Sequence, residues 1–186
     1  MAVNRWFFKY RGELVTPPII FVLFFNIWKT ESVFLTWGPG LFIFLLGFFV
    51  RLWAQQHLHY RLKMDRDLTT TGPYTIIRNP IYIGNTLLCV GATVISGVLW
   101  MVPITILFCA VVYKFTVRSE EAVLLEKFKN TYQNFMNQVP RWWPKKLTFK
   151  NLGLVNEYLY LSILREVHCL LLLLPFIAKE IIMHWK

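Results

Sequence analysis

Uncharged stretches alternate with short charged ones along the chain. Leu14 to Trp28, Ser32 to Val50, Asn79 to Tyr113 and Val167 to Ala178 carry no Asp, Glu, Lys or Arg. A helix rises about 1.5 Å per residue and needs roughly 20 apolar residues to cross a ~30 Å hydrocarbon core. Leu14 to Trp28 is slightly short and spans only if Lys29 snorkels and the ends fray. Ser32 to Val50 is a better span, although Gly38, Pro39 and Gly40 predict irregular first turns. These two predict an antiparallel hairpin. Asn79 to Tyr113 is too long for one helix and suits two short spans, with the break at Ser96-Gly97 and Pro103. The tail is interrupted by Arg165 and Glu166. It reads as a fifth span with a paired Arg-Glu or as a helix lying in the interface, and ionisable groups in a bilayer favour pairing.

The pattern therefore predicts an all-α, polytopic integral membrane protein of about four to five transmembrane helices. Residues 1–186 read as one domain, with 145–186 as a C-terminal extension carrying a membrane or interfacial helix.

Two segments break the apolar pattern. Thr69 to Asn85 reads TTTGPYTIIRNPIYIGN. Gly72-Pro73 and Asn79-Pro80 are turn signals, and a residue before proline is pushed to extended geometry. This predicts a rigid, irregular loop at a membrane surface, carrying Tyr74, Arg78 and Tyr82. Irregular backbone at such depth is tolerated where it is buried in protein or lines a cavity. The second segment follows Lys114. Leu124, Phe128, Tyr132 and Phe135 recur at helical spacing, with Glu120 and Glu121 opening the same face. The helix is expected to begin near an N-cap Ser119 and to stop before Pro140. Trp142 and Trp143, beside Arg141, Lys145 and Lys146, suit an interfacial anchor, as do Arg5, Lys9 and Arg11 among Trp6, Phe7, Phe8 and Tyr10.

The net charge of +10 changes the picture only in placing the chain. Its basic residues flank apolar spans, so anionic lipid and the positive-inside rule explain them better than nucleic acid does. The excess of Lys and Arg in Arg51 to Arg78 puts that segment on the cytoplasmic side. The uncharged turn near Ser96 falls outside, and the N-terminus lies inside. Cys89, Cys109 and Cys169 all lie in apolar runs without a C-x-x-C pair, which predicts buried free thiols. No cleavable signal peptide and no C-terminal lipidation motif is apparent, so the first apolar run is expected to stay as an anchor.

Candidate chemistry is sparse. Glu120-Glu121 is either an exposed helix start with acids in its first turn or a carboxylate pair that accepts hydrogen bonds from a ribose diol or an amine. Arg78 and Arg141 are either snorkelling residues or bidentate partners for a carboxylate. Tyr74, Tyr82 and Tyr132 are interface aromatics or the walls of a pocket for a cation such as a sulfonium. His57 and His59 do not share a helix face and give no metal signature. No metal site is expected.

Taken in order, these motifs resemble the isoprenylcysteine carboxyl methyltransferases and the related phospholipid methyltransferases. That family's pattern is a G-P-Y turn, R-H-P-x-Y-x-G, an apolar hairpin, E-E-x-x-L-x-x-x-F-x-x-x-Y and a terminal R-x-x-P. Here it reads Gly72-Pro73-Tyr74, Arg78-Asn79-Pro80-Ile81-Tyr82-Ile83-Gly84, Glu120-Glu121, Leu124, Phe128, Tyr132, and Arg141 to Pro144, within residues 68–144. The resemblance implies an S-adenosylmethionine-dependent methyltransferase with its cofactor at the cytosolic face and its lipid or prenylated acceptor entering from the bilayer. It implies that Tyr74, Arg78, Asn79, Pro80, Tyr82, Gly84 and Glu121 shape the cofactor site and that Glu120 and Arg141 lie near the acceptor. Asn79 stands where the family has His. Asn hydrogen-bonds but takes up no proton near neutral pH, which favours a binding role over a base. The R-N-P variant and the short loops are similar to bacterial members, so the bacterial inner membrane is the expected location. A non-catalytic scaffold of the same fold is an alternative. So is an NADPH-dependent enzyme like the sterol reductases, which share a similar H-P-x-Y-x-G loop.

Overall fold

The computed structural model describes residue 10 and residues 13–25, 28–30, 32–63, 67–144 and 152–184, with the side chains of 59–63 left aside. The interfacial reading of residues 5–9 and 11, and of Lys145-Lys146, falls outside them. Among the described residues the chain is helical, without strands. Helix α1 covers Pro17–Phe24 and α2 Val33–Lys63. A 3-10 turn, Gly72–Thr75, precedes α3 at Pro80–Ile95 and α4 at Met101–Gln138. The tail runs through α5 (Leu159–Glu166), a 3-10 stretch and α6 (Leu173–His184). Three helical stretches, Val33–Leu58, Met101–Gln138 and Leu159–Met183, are long and apolar enough to cross a membrane, and α3 is a shorter apolar helix. The protein is a polytopic membrane protein. The tail is therefore a helix of spanning length.

Helices α2 and α3 pack antiparallel because both carry glycines two helical turns apart. A Cβ on Gly40 would lie 3.0 Å from the Gly91 carbonyl, and one on Gly47 would lie 2.8 Å from that of Gly84. Small residues at this spacing let two backbones touch, which is how helices gain packing energy where lipid removes the hydrophobic drive. Phe44 fills the seam with Leu88, Ala92 and Ile95, and Val22 of α1 and Phe176 of α6 close the cluster.

Several expectations change here. The first apolar run forms only an eight-residue helix, too short for a ~30 Å core. Gly38, Pro39 and Gly40 do not disturb α2, which runs straight through them. Pro39 is the seventh residue of the helix and forgoes only the one N–H bond to the Leu35 carbonyl, and the helix continues past it. The break after α3 falls at Ser96-Gly97 as the pattern predicts, with Gly97 at φ +79°. Ser119 is not an N-cap: α4 is continuous across it, and its hydroxyl donates to the Phe115 carbonyl 3.1 Å away. The helix does end before Pro140. Trp142 packs against the cluster of Val15, Tyr82 and Tyr113, whereas Trp143 is exposed.

Arg165 and Glu166 are not each other's partners. Glu166 accepts from Arg51 Nε at 2.7 Å, while Arg51 also reaches Asn85. One ion pair thus joins α2, α3 and the tail. At the same end, Gln56 Nε2 donates to the Leu154 carbonyl at 2.7 Å, and Gln56 Oε1 accepts from the Asn156 N–H at 3.1 Å. At the other end, Lys29 pairs with Glu180 at 2.9 Å.

Candidate active site

The Gly72–Thr75 turn sets the loop against α2. Gly72 has φ +60°, and any Cβ there would strike the His57 ring at 2.2 Å. Glycine is needed for both reasons. His57 itself is buried, with Nδ1 2.9 Å from Thr71 Oγ1 and Nε2 2.9 Å from the Gly153 carbonyl. Since a carbonyl only accepts, Nε2 carries a proton and donates to it, while Nδ1 shares a hydrogen bond with the threonine hydroxyl. His57 therefore clamps the loop to the tail.

Beyond the turn, the R-N-P segment is tied to the end of α4. The Arg78 N–H donates to the Pro140 carbonyl at 2.9 Å, and Asn79 Nδ2 donates to the Arg141 carbonyl at 3.2 Å. Asn79 thus acts through its amide, a bond that needs no titrating group. Pro80 is the first residue of α3, where its missing N–H costs nothing.

Between loop and α4 lies a cavity of about 300 Å³. Tyr74, Arg78, Asn79, Tyr82, Glu120, Leu124, Tyr132 and Phe135 line it, together with Leu58, Leu68, Thr69, Ile81 and Val123. The adjacent carboxylates divide their work. Glu120 is in the cavity wall and accepts a 2.6 Å hydrogen bond from the Tyr82 hydroxyl. Glu121 is buried beneath, where Arg141 grips it through Nε at 3.0 Å and through Nη2. Arg78 Nη1 approaches the same carboxylate at 2.9 Å. That contact is an ion pair without hydrogen-bond alignment, since Arg78 Nε and Nη1 both lack a hydrogen-bond acceptor in the protein. Tyr132 is buried on the same wall, its ring tilted against that of Phe135 with 6.0 Å between centroids.

Of the residues singled out in the sequence, Tyr74, Arg78, Asn79, Tyr82 and Glu120 converge on the cavity. Glu121 and Arg141 lie behind it as a charge pair. Gly84 faces the α2 seam, where a Cβ would meet Arg51 Cγ at 2.6 Å. Thr69 is a cavity residue that motif reasoning passes over, because nothing in Thr69-Thr70-Thr71 distinguishes one hydroxyl from the next. Among the described residues no group of three or more His, Cys, Asp or Glu side chains could hold a metal ion.

An irregular loop packs on an amphipathic helix that is kinked at Lys129. Tyrosines, Arg78 and Glu120 line a cavity in a helical membrane bundle, backed by the Glu121–Arg141 pair. Residues 35–131, just over half of the chain, match the family model described as phospholipid methyltransferase. The chain belongs to that family. It is also 28% identical over 101 residues to the nickel-cobalt-cadmium resistance protein NccN of Alcaligenes xylosoxydans xylosoxydans, across 54% of this chain and 46% of that protein. To the cobalt-zinc-cadmium resistance protein CzcN of Cupriavidus metallidurans it is 26% identical over 95 residues, across 51% and 43%. The chain spans a little under half the length of these curated relatives. No solved structure matches.

Proposed function

We propose that the protein is an S-adenosylmethionine-dependent methyltransferase acting on a lipid or lipid-attached acceptor at the cytosolic face of a bacterial inner membrane. The observation that carries this reading is the cavity in which Glu120, held by Tyr82, shares a wall with Arg78 and three tyrosines, inside or next to the family-matched region. Its volume is at the small end of the roughly 300–1,000 Å³ usual for ligand sites. The residues fit the cofactor. Glu120 offers a carboxylate to a ribose diol or an ammonium. Tyr74, Tyr82 and Tyr132 offer aromatic faces to an adenine or a sulfonium. When bound, the cofactor supplies an electrophilic methyl group on sulfur.

The chain's own part is positioning and exclusion of water, the contributions such an in-line displacement needs most. Glu121 positions Arg78 and Arg141 and leaves direct contact to Glu120. Arg141 lies outside the cavity lining, but its guanidinium is about one-third exposed and suits orienting an acceptor carboxylate. An isoprenylcysteine-like carboxylate is the most similar acceptor, with a phospholipid amine next. The names of the two relatives refer to metal resistance, and nothing of that role is carried to this chain. Arg78, Lys114 and Arg118 gather at the site end of the bundle, which supports a cytosolic placement. The ties of the tail through Arg51–Glu166 and Gln56 support reading residues 1–186 as one working unit.

Calorimetric titration of the purified protein in lipid nanodiscs with S-adenosylmethionine and S-adenosylhomocysteine tests the reading. Saturable binding is expected, and Glu120→Gln should weaken it about tenfold or more, the usual weight of a hydrogen bond to a charged group. Saturable binding of NADPH with none of either adenosyl ligand would overturn the choice in favour of a reductase. Binding of none of the three would favour a scaffold.

A further inference from the structure

Thr69 and Arg78 present polar groups in the cavity that the protein itself leaves unmet. Thr69 is 7% exposed, and its Oγ1 has no hydrogen-bond partner. The Arg78 side chain is 11% exposed; its Nε has no hydrogen-bond acceptor, and its Nη1 meets Glu121 only as an ion pair. Both residues line the same cavity. The other loop threonines with buried neighbours are accounted for: Thr71 Oγ1 bonds His57, and Thr75 Oγ1 donates to the Gly72 carbonyl at 2.7 Å. Buried polar groups are rarely left unpaired, and an exception at a cavity wall points to what occupies the cavity.

The chemistry of the two groups narrows the partner. Arginine Nε only donates, so it needs an acceptor, and a threonine hydroxyl can donate to that same acceptor. Charge narrows it further. The Arg78 guanidinium is always charged, and a charged acceptor makes the stronger hydrogen bond to it; the cluster itself is neutral, with Arg78 and Arg141 set against Glu120 and Glu121. We propose that Thr69 and Arg78 Nε together bind an oxyanion of the ligand, a carboxylate or a phosphate. Thr69 is then a specificity-determining residue for a charged ligand over its uncharged counterpart. The inference rests on the cavity being the ligand site described above. The oxyanion has two candidate sources, the cofactor's amino-acid carboxylate or the headgroup of the acceptor lipid.

The test compares wild type, Thr69→Val and Thr69→Ser in nanodiscs by calorimetry. One pair of probes is S-adenosylhomocysteine and 5′-methylthioadenosine, which lacks the carboxylate. The other is short-chain phosphatidic acid and the matching diacylglycerol, which lacks the phosphate. Valine keeps the shape and removes the hydroxyl. A tenfold or greater loss for S-adenosylhomocysteine, with methylthioadenosine unchanged and serine restoring binding, assigns the oxyanion to the cofactor. The same pattern confined to phosphatidic acid assigns it to the lipid. Equal losses for charged and uncharged members of a pair, no loss in either pair, or a serine variant as weak as valine overturns the inference. If wild type binds neither adenosyl probe, the proposed cofactor falls, while the lipid pair still decides whether an oxyanion site exists. If wild type binds none of the four probes, the oxyanion site falls as well.

Discussion

Two places in this molecule pair arginine with glutamate across separate elements, and they behave differently. At the tail seam, Arg51 meets Glu166 one to one, with Asn85 as a further partner. At the cavity, Arg78 and Arg141 crowd a single Glu121, and donors are left over. The seam is balanced in charge. The cavity cluster balances only when Glu120 is counted with Glu121, and it sits against open volume with donors unmet. A shielded one-to-one pair fixes the arrangement of helices, whereas a cluster beside a cavity with donors left over is poised for something else to complete it. The same residue types close a seam in one place and line a cavity in the other, and unmet donors beside open volume separate the two.

The strongest way to break this contrast is at the seam. Glu166→Ala leaves Arg51 buried without its counter-charge, and stranding one member of a buried pair costs about 3–5 kcal/mol. Thermal unfolding in detergent should show a larger drop for Glu166→Ala than for Gly91→Leu, Glu121→Gln or Tyr82→Phe. A Glu166→Ala protein that melts like wild type would remove the seam from the account. Next comes helix contact, where Gly91→Leu forces a side chain onto the Phe44 backbone, 2.6 Å from where its Cβ begins. Overpacking of this kind costs about 1–3 kcal/mol. It should lower the melting temperature while leaving the cavity ligand's affinity in the surviving fold intact.

The cavity side should show the opposite signature. Glu121→Gln removes the charge that positions Arg78 and Arg141. Affinity for the adenosyl ligand should fall about tenfold or more. Stability should change less than in Glu166→Ala, because Arg141 is about one-third exposed and Gln still offers an amide oxygen to both guanidiniums. Equal stability losses in the two variants would erase the distinction between the sites. The smallest expected effect is that of Tyr82→Phe. It deletes a hydrogen bond that positions Glu120 without itself touching the ligand, so affinity should fall only about fivefold, roughly 1 kcal/mol. It also leaves the ring packed on Tyr113, 4.7 Å between centroids. A loss of about fiftyfold or more, over 2 kcal/mol, would mean that the hydroxyl touches the ligand directly.

The legibility of the site in the sequence depends on whether a residue's neighbours are local. Gly72-Pro73 and Asn79-Pro80 announce the loop, because proline and glycine restrict the chain wherever they stand. Leu124, Phe128, Tyr132 and Phe135 announce the buried face of α4. All four pack in or against one cluster, because periodicity is a property of the chain itself. Ser119 followed by two acids has the pattern of a helix start and is a helix middle, since the preceding apolar helix simply continues. Local capping signals cannot see that continuation. Arg165 next to Glu166 has the pattern of a pair, yet Glu166 turns to Arg51, 115 residues earlier. Glu120 and Glu121 are visible as a pair, but their separate roles are not. Which one faces a cavity and which one faces two arginines depends on the rotation of α4 against the loop.

The all-helical membrane class, the irregular loop, the amphipathic stripe and the family resemblance are all written along the chain. Each rests on composition, spacing or local backbone restriction, which exist before the chain folds. Packing alone makes His57 clamp the loop to Gly153, and packing alone makes Gly47 and Gly84 the place where two backbones meet. It likewise divides Glu121 between Arg78 and Arg141 and leaves Thr69 with an unmet hydroxyl. Those are properties of groups brought together over long separations. Burial and charge balance at such contacts arise only when the helices dock, and no spacing within one segment encodes them.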